Sequence, residues 1–227
     1  MIGIIGAMKI EVDSLKSMLN NIKEETISGI KFVQGTIHSH EVVVAQCGIG
    51  KVFAGMCAQT MILRYGVTEM INVGIAGTLC EELGLLDIAI SSAVVEHDMD
   101  TSPLGDPVGL ISGINVVEMP ACDRLITDFE KIVTIHGKHC VRGVIASGDQ
   151  FIGDSEKKSY IHRTFHAIAC EMEGAAIGQV CYVNGVDFVI IRTISDNADD
   201  TAGTMEYPEL CQKAAKQSQM LIEAYLA

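Results

Sequence analysis

The chain has 227 residues, of which 48% are hydrophobic, and its mean hydropathy is +0.32. A chain of this length and composition can bury one sizeable core, so we expect a single domain over residues 1–227. Its formal net charge of −13 argues against a nucleic-acid partner, because phosphate binding requires clustered Lys and Arg. No run reaches the length of a membrane-spanning helix, and the first residues lack the basic region of a signal peptide. We therefore predict a cytoplasmic protein without membrane contact.

Short apolar runs alternate with helix-like segments along the whole chain. The predicted strands cover residues 2–7, 31–37, 41–47, 69–73, 87–95, 141–147, 167–170 and 186–191. The predicted helices cover residues 51–65, 123–133, 155–165, 171–183 and 208–226. Strands that alternate with helices in this way predict an α/β protein whose mostly parallel sheet is covered by helices on both faces.

Glycine pairs follow two of these predicted strands. Gly48-Ile49-Gly50 opens the predicted helix at 51–65, and Gly74-Ile75-Ala76-Gly77 follows the strand at 69–73. The first pair does not match a phosphate-binding motif. Phe53 stands where G-x-G-x-x-G needs a small residue, and Val52 stands where a P-loop needs Ser or Thr. Two interpretations stay open for both segments: a tight turn, or a close approach of the backbone to a flat ligand.

The strand at 186–191 is the most apolar of the set and ends abruptly in polar residues. Arg192, Thr193, Ser195 and Asp196 follow it within five positions. A run this short and this apolar indicates a strand buried on both faces of a parallel sheet. Ligands bind in the crevice outside the carboxyl ends of such strands, so Asp196 is the first candidate for a functional carboxylate.

Two further acids stand where an unused carboxylate is costly. Glu11 follows the first strand at the start of a helix, where it either favours the helix N-terminus or serves a site. Glu173 shares a predicted helical face with apolar residues, so it is expected to point inward. Together with Asp196 they predict stabilisation of a cationic transition state. The segment His97-Asp98-Met99-Asp100 resembles a metal cluster only superficially, and the eight cysteines form no C-x-x-C pair, so we predict no metal site.

Five motifs follow one another over almost the whole chain. They are Gly3-Ile4-Ile5-Gly6-Ala7-Met8 followed by Glu11, Gly48-Ile49-Gly50-Lys51, Ser147-Gly148-Asp149-Gln150-Phe151-Ile152, Glu171-Met172-Glu173 and Ile194-Ser195-Asp196. In this order they resemble the 5′-methylthioadenosine/S-adenosylhomocysteine nucleosidases of the nucleoside phosphorylase superfamily. The resemblance implies a three-layer αβα fold with a central mixed, barrel-like β-sheet surrounded by helices. It also implies a homodimer that needs no cofactor and binds a small adenine nucleoside.

The resemblance assigns a role to each acid. Asp196 protonates adenine N7, Glu11 positions and deprotonates the attacking water, and Glu173 holds the ribose hydroxyls. Phe151 stacks on the base, and backbone groups of Ile152 bond its edge. Further substrate contacts are implied for Met8, Ile49, Ala76, Gly77, Glu171, Met172, Ser195, Leu104 and Tyr207. Of these, Leu104 is expected to reach across the dimer interface and Tyr207 to close over the pocket.

Departures from the family pattern leave alternatives open. Lys9 and Ile10 stand where the family usually has acids, Ile75 where it has a small or hydroxyl residue, and Leu104 where many members have an aromatic. The rival predictions are a nucleoside phosphorylase that uses phosphate in place of water and a nucleosidase for another adenine nucleoside, such as 5′-deoxyadenosine or aminodeoxyfutalosine. A non-catalytic nucleoside sensor is the third, although a sensor has no need of a water-activating acid.

Overall fold

Strands and helices alternate along residues 1–199 and 207–227, which are the residues described by the computed structural model. The strands are β1 (Ile2–Gly6), β2 (Asn20–Ile27), β3 (Ile30–Ile37), β4 (His40–Gln46), β5 (Glu69–Thr78), β6 (Ile88–Glu96), β7 (Met119–Pro120), β8 (Cys140–Ser147), β9 (Ala167–Glu171) and β10 (Asp187–Asp196). The helices are α1 (Lys9–Ser17), α2 (Lys51–Tyr65), α3 (Asp123–Ile135), α4 (Ser155–Phe165), α5 (Gly174–Asn184) and α6 (Tyr207–Tyr225). No helix in this part of the chain is both long and apolar enough to cross a membrane.

Five strands close on themselves into a barrel-like ring. β10 pairs with β5 in parallel, from Asp187 opposite Glu69 to Asp196 opposite Gly77, and with β6 in antiparallel orientation on its other side. β6 continues to β8 and β9, and β9 returns to β5. β1, β4, β3 and β2 extend the sheet outward from β5. The predicted central sheet, mixed and barrel-like, is therefore confirmed.

Helices cover both faces of this sheet. Successive residues of β1 point to opposite faces, so Ile5 joins the core beneath α2 and α5, whereas Ile4 joins the core beneath α1, α3 and α6. Both side chains are fully buried. Burial on both faces explains why the central strands are continuous apolar runs without polar alternation. The predicted three-layer arrangement is confirmed.

Several elements differ from the predictions, among them β2, β5 and α5. β2 was not predicted, because it is an exposed edge strand whose charged residues give no apolar alternation. β5 runs through Gly74-Ile75-Ala76-Gly77, so this segment is strand and not a turn. α5 begins at Gly174, so Glu171 ends β9 and Glu173 caps the helix, instead of lying on a helical face as predicted.

Candidate active site

One cleft opens where the carboxyl ends of β1, β5, β9 and β10 meet. Its empty volume is about 660 Å³ when the open solvent at its mouth is included. The residues that line it come from six separate parts of the chain: Ala7, Met8, Glu11, Ile49, Ile75, Ala76, Gly77, Gln150, Phe151, Ile152, Cys170, Glu171, Met172, Glu173, Arg192, Ser195 and Asp196. The three acids singled out in the sequence thus face one space.

Asp196 is brought into the cleft by a β-bulge. The register between β10 and β5 shifts between Ile194 and Asp196, and such a shift re-aims the next side chain. One carboxylate oxygen, Oδ1, accepts the Ala198 N–H at 2.9 Å, and Oδ2 accepts the Ser195 hydroxyl at 2.7 Å. Gly77 lies opposite, and a Cβ there would be 2.8 Å from Oδ1. The glycine is required because the carboxylate approaches the neighbouring strand so closely.

Glu11 is buried at the start of α1. Its Oε2 accepts the Met8 N–H at 2.9 Å, so the carboxylate stabilises the helix N-terminus while it also lines the cleft. Glu11 therefore has the helix-terminal position that the sequence offered, and its functional role stays a prediction. Burial raises the pKa of Glu11, and the opposing effects of the Arg192 charge and of the Met8 N–H are smaller. A carboxyl with a raised pKa is suited to accept a proton during a reaction.

Glu173 is held from the opposite side of the cleft. Its Oε1 accepts the Gly50 N–H at 2.9 Å, and Gly50 has a φ of +100°, a conformation that favours glycine. Burial, reinforced by the neighbouring charge of Glu171, raises the pKa of Glu173 to about 7. The Gly48-Ile49-Gly50 segment is therefore both a tight turn and the support of a cleft carboxylate.

Arg192 is the functional-site residue that sequence reasoning missed. Its buried guanidinium donates to Glu171 and to the Asn72 side chain, and it lies 3.9 Å from Glu173. Gly74 lies opposite Arg192 in the strand pair, and a Cβ there would overlap the guanidinium. The available signal was an arginine directly after five residues of which four are β-branched or aromatic, a position where a charge needs partners.

Glu171 lies beside the cleft, but its oxygens are occupied by the protein. They accept bonds from the Ser147 hydroxyl, from Arg192 and from the backbone N–H groups of Glu173 and Gly174. A carboxylate offers about four acceptor positions, so little capacity is left for a substrate. This geometry favours a supporting role for Glu171 over the direct substrate contact that was predicted.

Most of the other predicted contacts also line the cleft, namely Met8, Ile49, Ala76, Gly77, Phe151, Ile152, Met172 and Ser195. Leu104 does not. It ends a short 3₁₀ turn and is 83% exposed, so its contact across a dimer interface stays a prediction. Tyr207 begins α6, and its side chain lies outside the described residues. Besides Arg192, the lining residues not predicted are Ala7, Ile75, Gln150 and Cys170.

Comparisons with known proteins find relatives over almost the whole chain. A sequence model of the phosphorylase superfamily matches residues 1–227. The chain is 37% identical to the 5′-methylthioadenosine/S-adenosylhomocysteine nucleosidase of Shewanella baltica, with 97% of this chain and 94% of that protein covered, and 38% identical to that of Shewanella halifaxensis, with 99% and 98% covered. A Helicobacter pylori MTAN mutant with 5′-methylthioadenosine in its active site matches with a TM-score of 0.94 at 34% identity, covering 99% and 96%. The native futalosine hydrolase of H. pylori matches with a TM-score of 0.93 at 33% identity, covering 99% and 96%.

Replacing Arg192 tests whether its charge holds the buried acids. We expect Arg192→Met to lower the free energy of unfolding by about 3–5 kcal/mol at pH 7.5, because it leaves ionised carboxylates buried without a cation. Burial already raises the pKa of Glu11 and Glu173, and stability from such groups is lost as pH rises through the folded-state pKa. The deficit should therefore shrink between pH 7.5 and pH 5, where the carboxyls of the variant take up protons.

Urea unfolding at both pH values measures this effect. Arg64→Met is the matched control, because Arg64 forms an exposed ion pair with Glu25 and its loss should leave the free energy of unfolding nearly unchanged. Equal losses in the two variants, or a deficit at position 192 that does not change with pH, would contradict the role given to the buried guanidinium.

Proposed function

The chain belongs to the phosphorylase superfamily and, within it, to the 5′-methylthioadenosine/S-adenosylhomocysteine nucleosidases, and we propose that it hydrolyses the N-glycosidic bond of those two nucleosides. The products are adenine and the corresponding thioribose. The observation that carries the proposal is the convergence of Glu11, Glu173 and Asp196 on one cleft. Cleavage of this bond builds positive charge on the sugar, and carboxylates fixed in place stabilise it.

In this mechanism Asp196 is the general acid. It transfers a proton to adenine N7, which converts a poor leaving group into neutral adenine. The Ala198 N–H and the Ser195 hydroxyl hold the carboxyl group in place from one side, so its orientation is set before the substrate binds. Phe151 and Ile152 lie on the same cleft, where a ring face and backbone groups can contact the base.

Glu11 and Glu173 act on the sugar. Glu11 accepts the proton of the attacking water, and Glu173 accepts hydrogen bonds from the ribose hydroxyls. The lining side chains Met8, Ile49 and Met172 are apolar and suit the alkylthio tail of the nucleoside. Glu11 reaches the cleft from the start of α1 and Glu173 from the start of α5, and both are within the field of the Arg192 charge.

Water is favoured over phosphate as the second substrate. A phosphorylase requires a cation that is free to clamp phosphate. Arg192 is the one Lys or Arg among the described lining residues, and its guanidinium is already bonded to Glu171 and Asn72. Glu11 stands where the incoming anion would be repelled.

A second candidate is a nucleosidase for a futalosine-type substrate. The chain matches the H. pylori futalosine hydrolase with a TM-score of 0.93 and the H. pylori MTAN mutant with a TM-score of 0.94. This near-equal similarity is the observation that favours the second candidate. The two candidates differ in the tail attached to the sugar and share the chemistry at the glycosidic bond. Both can therefore be tested in one assay.

The proposal extends to a homodimer in the cytoplasm. An exposed apolar patch on α2, formed by Val52, Phe53 and Met56, supports an interface, because contiguous apolar surface of this kind marks contact sites between proteins. Ile49, at the cleft mouth, directly precedes α2 and is itself 59% exposed. Five of the eight cysteines are buried, as expected for core residues in a reducing compartment.

The central experiment is an assay of products in phosphate-free buffer. We expect the purified protein to release free adenine and free thioribose from 5′-methylthioadenosine and from S-adenosylhomocysteine, at a rate that added phosphate does not change. Aminodeoxyfutalosine is assayed in parallel. An enzyme that is idle until phosphate is added would be a phosphorylase, and one that consumes only aminodeoxyfutalosine would favour the second candidate.

Removing the proton donor is expected to abolish most of the activity. Asp196→Asn should leave under about a hundredth of the wild-type rate, because a general acid contributes about 10²- to 10⁴-fold. Asp187→Asn, at the opposite and exposed end of the same strand, is the matched control and should retain full activity. Circular dichroism checks that both variants fold. Adenine release near the wild-type rate by Asp196→Asn would remove this residue from the mechanism.

A charge in the α2 patch is expected to separate the dimer. Val52 is 73% exposed, so Val52→Glu should fold but shift the mass in sedimentation velocity from about twice 24.4 kDa to 24.4 kDa. Ile22→Glu, on the outer strand β2, is the control and should leave the mass unchanged. A wild-type protein that sediments as a monomer would refute the proposed assembly.

A further inference from the structure

A three-residue ion cluster lies next to the cleft without lining it. Lys51, the first residue of α2, places its Nζ 2.9 Å from Glu96 Oε2 and 2.7 Å from Asp98 Oδ1. The three side chains are only 18%, 11% and 18% exposed, respectively. Burial alone would lower the pKa of Lys51, but its hydrogen bonds to Asp98 and Glu96 outweigh that effect and raise the pKa. The ammonium therefore stays charged at neutral pH.

Two members of this cluster, Asp98 and Lys51, form hydrogen bonds with Asp149. Asp98 uses its second oxygen, Oδ2, to accept the Asp149 N–H at 2.8 Å. The Asp149 side chain accepts a hydrogen bond from the Lys51 backbone N–H at 2.8 Å. It thus provides a partner for one of the N–H groups that have no acceptor within the first turn of α2. Asp149 directly precedes Gln150, Phe151 and Ile152, which form one wall of the cleft.

The two residues that precede Asp149, Ser147 and Gly148, are held by separate contacts with His97. The His97 N–H donates to the Ser147 carbonyl at 2.9 Å, and the His97 ring packs against Gly148 so closely that a Cβ there would be 2.4 Å away. On the other side of Lys51, the Gly50 N–H donates to Glu173 at 2.9 Å. Lys51 therefore stands between the wall that carries Phe151 and the carboxylate assigned to the ribose.

We infer that Lys51 and Asp98 are positioning residues for the proposed nucleosidase reaction: their ion pair locks the segment at 149–152 against the N-terminus of α2. The inference rests on the proposed function and adds a residue pair that touches no substrate. With the lock in place, the base-binding wall and Glu173 have a fixed spacing before the nucleoside arrives. Without it, only a fraction of the molecules is competent to bind, and the apparent affinity falls by that fraction.

The expected kinetic result is a rise in KM with little change in kcat. Lys51→Met keeps the apolar stem and removes the charge, so we expect KM for 5′-methylthioadenosine to rise roughly ten- to a hundredfold, the scale of a charge-assisted hydrogen bond. The value of kcat should stay within about threefold, because Glu11 and Asp196 are untouched once substrate is bound. Lys51→Arg restores a cation of similar reach and should recover most of the loss in KM.

Lys31→Met is the matched control. Lys31 pairs with Glu24 on the outer hairpin formed by β2 and β3, where both side chains are about half exposed, and neither residue lines the cleft. The same chemical change should leave KM and kcat at wild-type values there. Asp98→Asn is the second variant, which keeps an oxygen for the Asp149 N–H but loses the charge that faces Lys51. In the double variant Lys51→Met/Asp98→Asn, the effects of the two changes on KM should not add, because either change alone breaks the same ion pair.

Hydrogen exchange read by mass spectrometry gives the structural test. Lys51→Met should raise exchange in peptides that cover residues 149–153 and leave the central strands β5 and β10 protected. Unchanged KM and unchanged exchange in an active, folded variant would overturn the inference, as would equal falls in kcat and kcat/KM that Lys51→Arg does not rescue. If Lys51→Met does not fold, Asp98→Asn decides by the same two readouts. If the wild-type protein releases no adenine, the proposed function fails, while the exchange result still decides whether the pair locks the segment.

Discussion

The site depends on one buried cation. Arg192 lies at the centre of the strand pair of β5 and β10, in a position where an isolated charge would be prohibitively expensive. Glu171 and Asn72 bond its guanidinium, and Glu11 and Glu173 lie within its field. This arrangement lets a chain with a net charge of −13 bury several acids in one cleft without forcing all of them to take up protons.

Closing the sheet into a ring makes this concentration of charge possible. β5 and β9 pair in antiparallel orientation, and strands paired in this way over their full length would have their carboxyl ends at opposite edges of the sheet. In the ring they cross only at Gly77, Thr78, Ala169 and Cys170, so both ends open into the same space. The β-bulge at Ser195 and the missing side chains at Gly74 and Gly77 then leave room for Asp196 and Arg192. The same backbone geometry therefore brings the strand ends together and leaves space for the charged side chains.

Much of this could be predicted from the sequence, for identifiable reasons. Strands buried on both faces are visible as apolar runs, and Asp196 follows such a run at the end where ligands bind. What could not be predicted depends on contacts between residues far apart in the chain. The bond from Gly50 to Glu173 spans 123 positions, and the ion pair of Lys51 and Asp98 spans 47. The exposed strand β2 was missed because charged edge strands lack the alternation that identifies them.

Two neighbouring acids show how the protein separates support from chemistry. Glu171 accepts hydrogen bonds from a hydroxyl, a guanidinium and two backbone N–H groups, so its acceptor positions are filled within the protein. Glu173, two residues later, accepts one backbone bond and lies 3.9 Å from the guanidinium, which leaves acceptor positions facing the cleft. Burial, and after it the neighbouring charge of Glu171, keeps the pKa of Glu173 raised. The saturated acid thus supports the pocket, and the unsaturated one is left to meet the ligand.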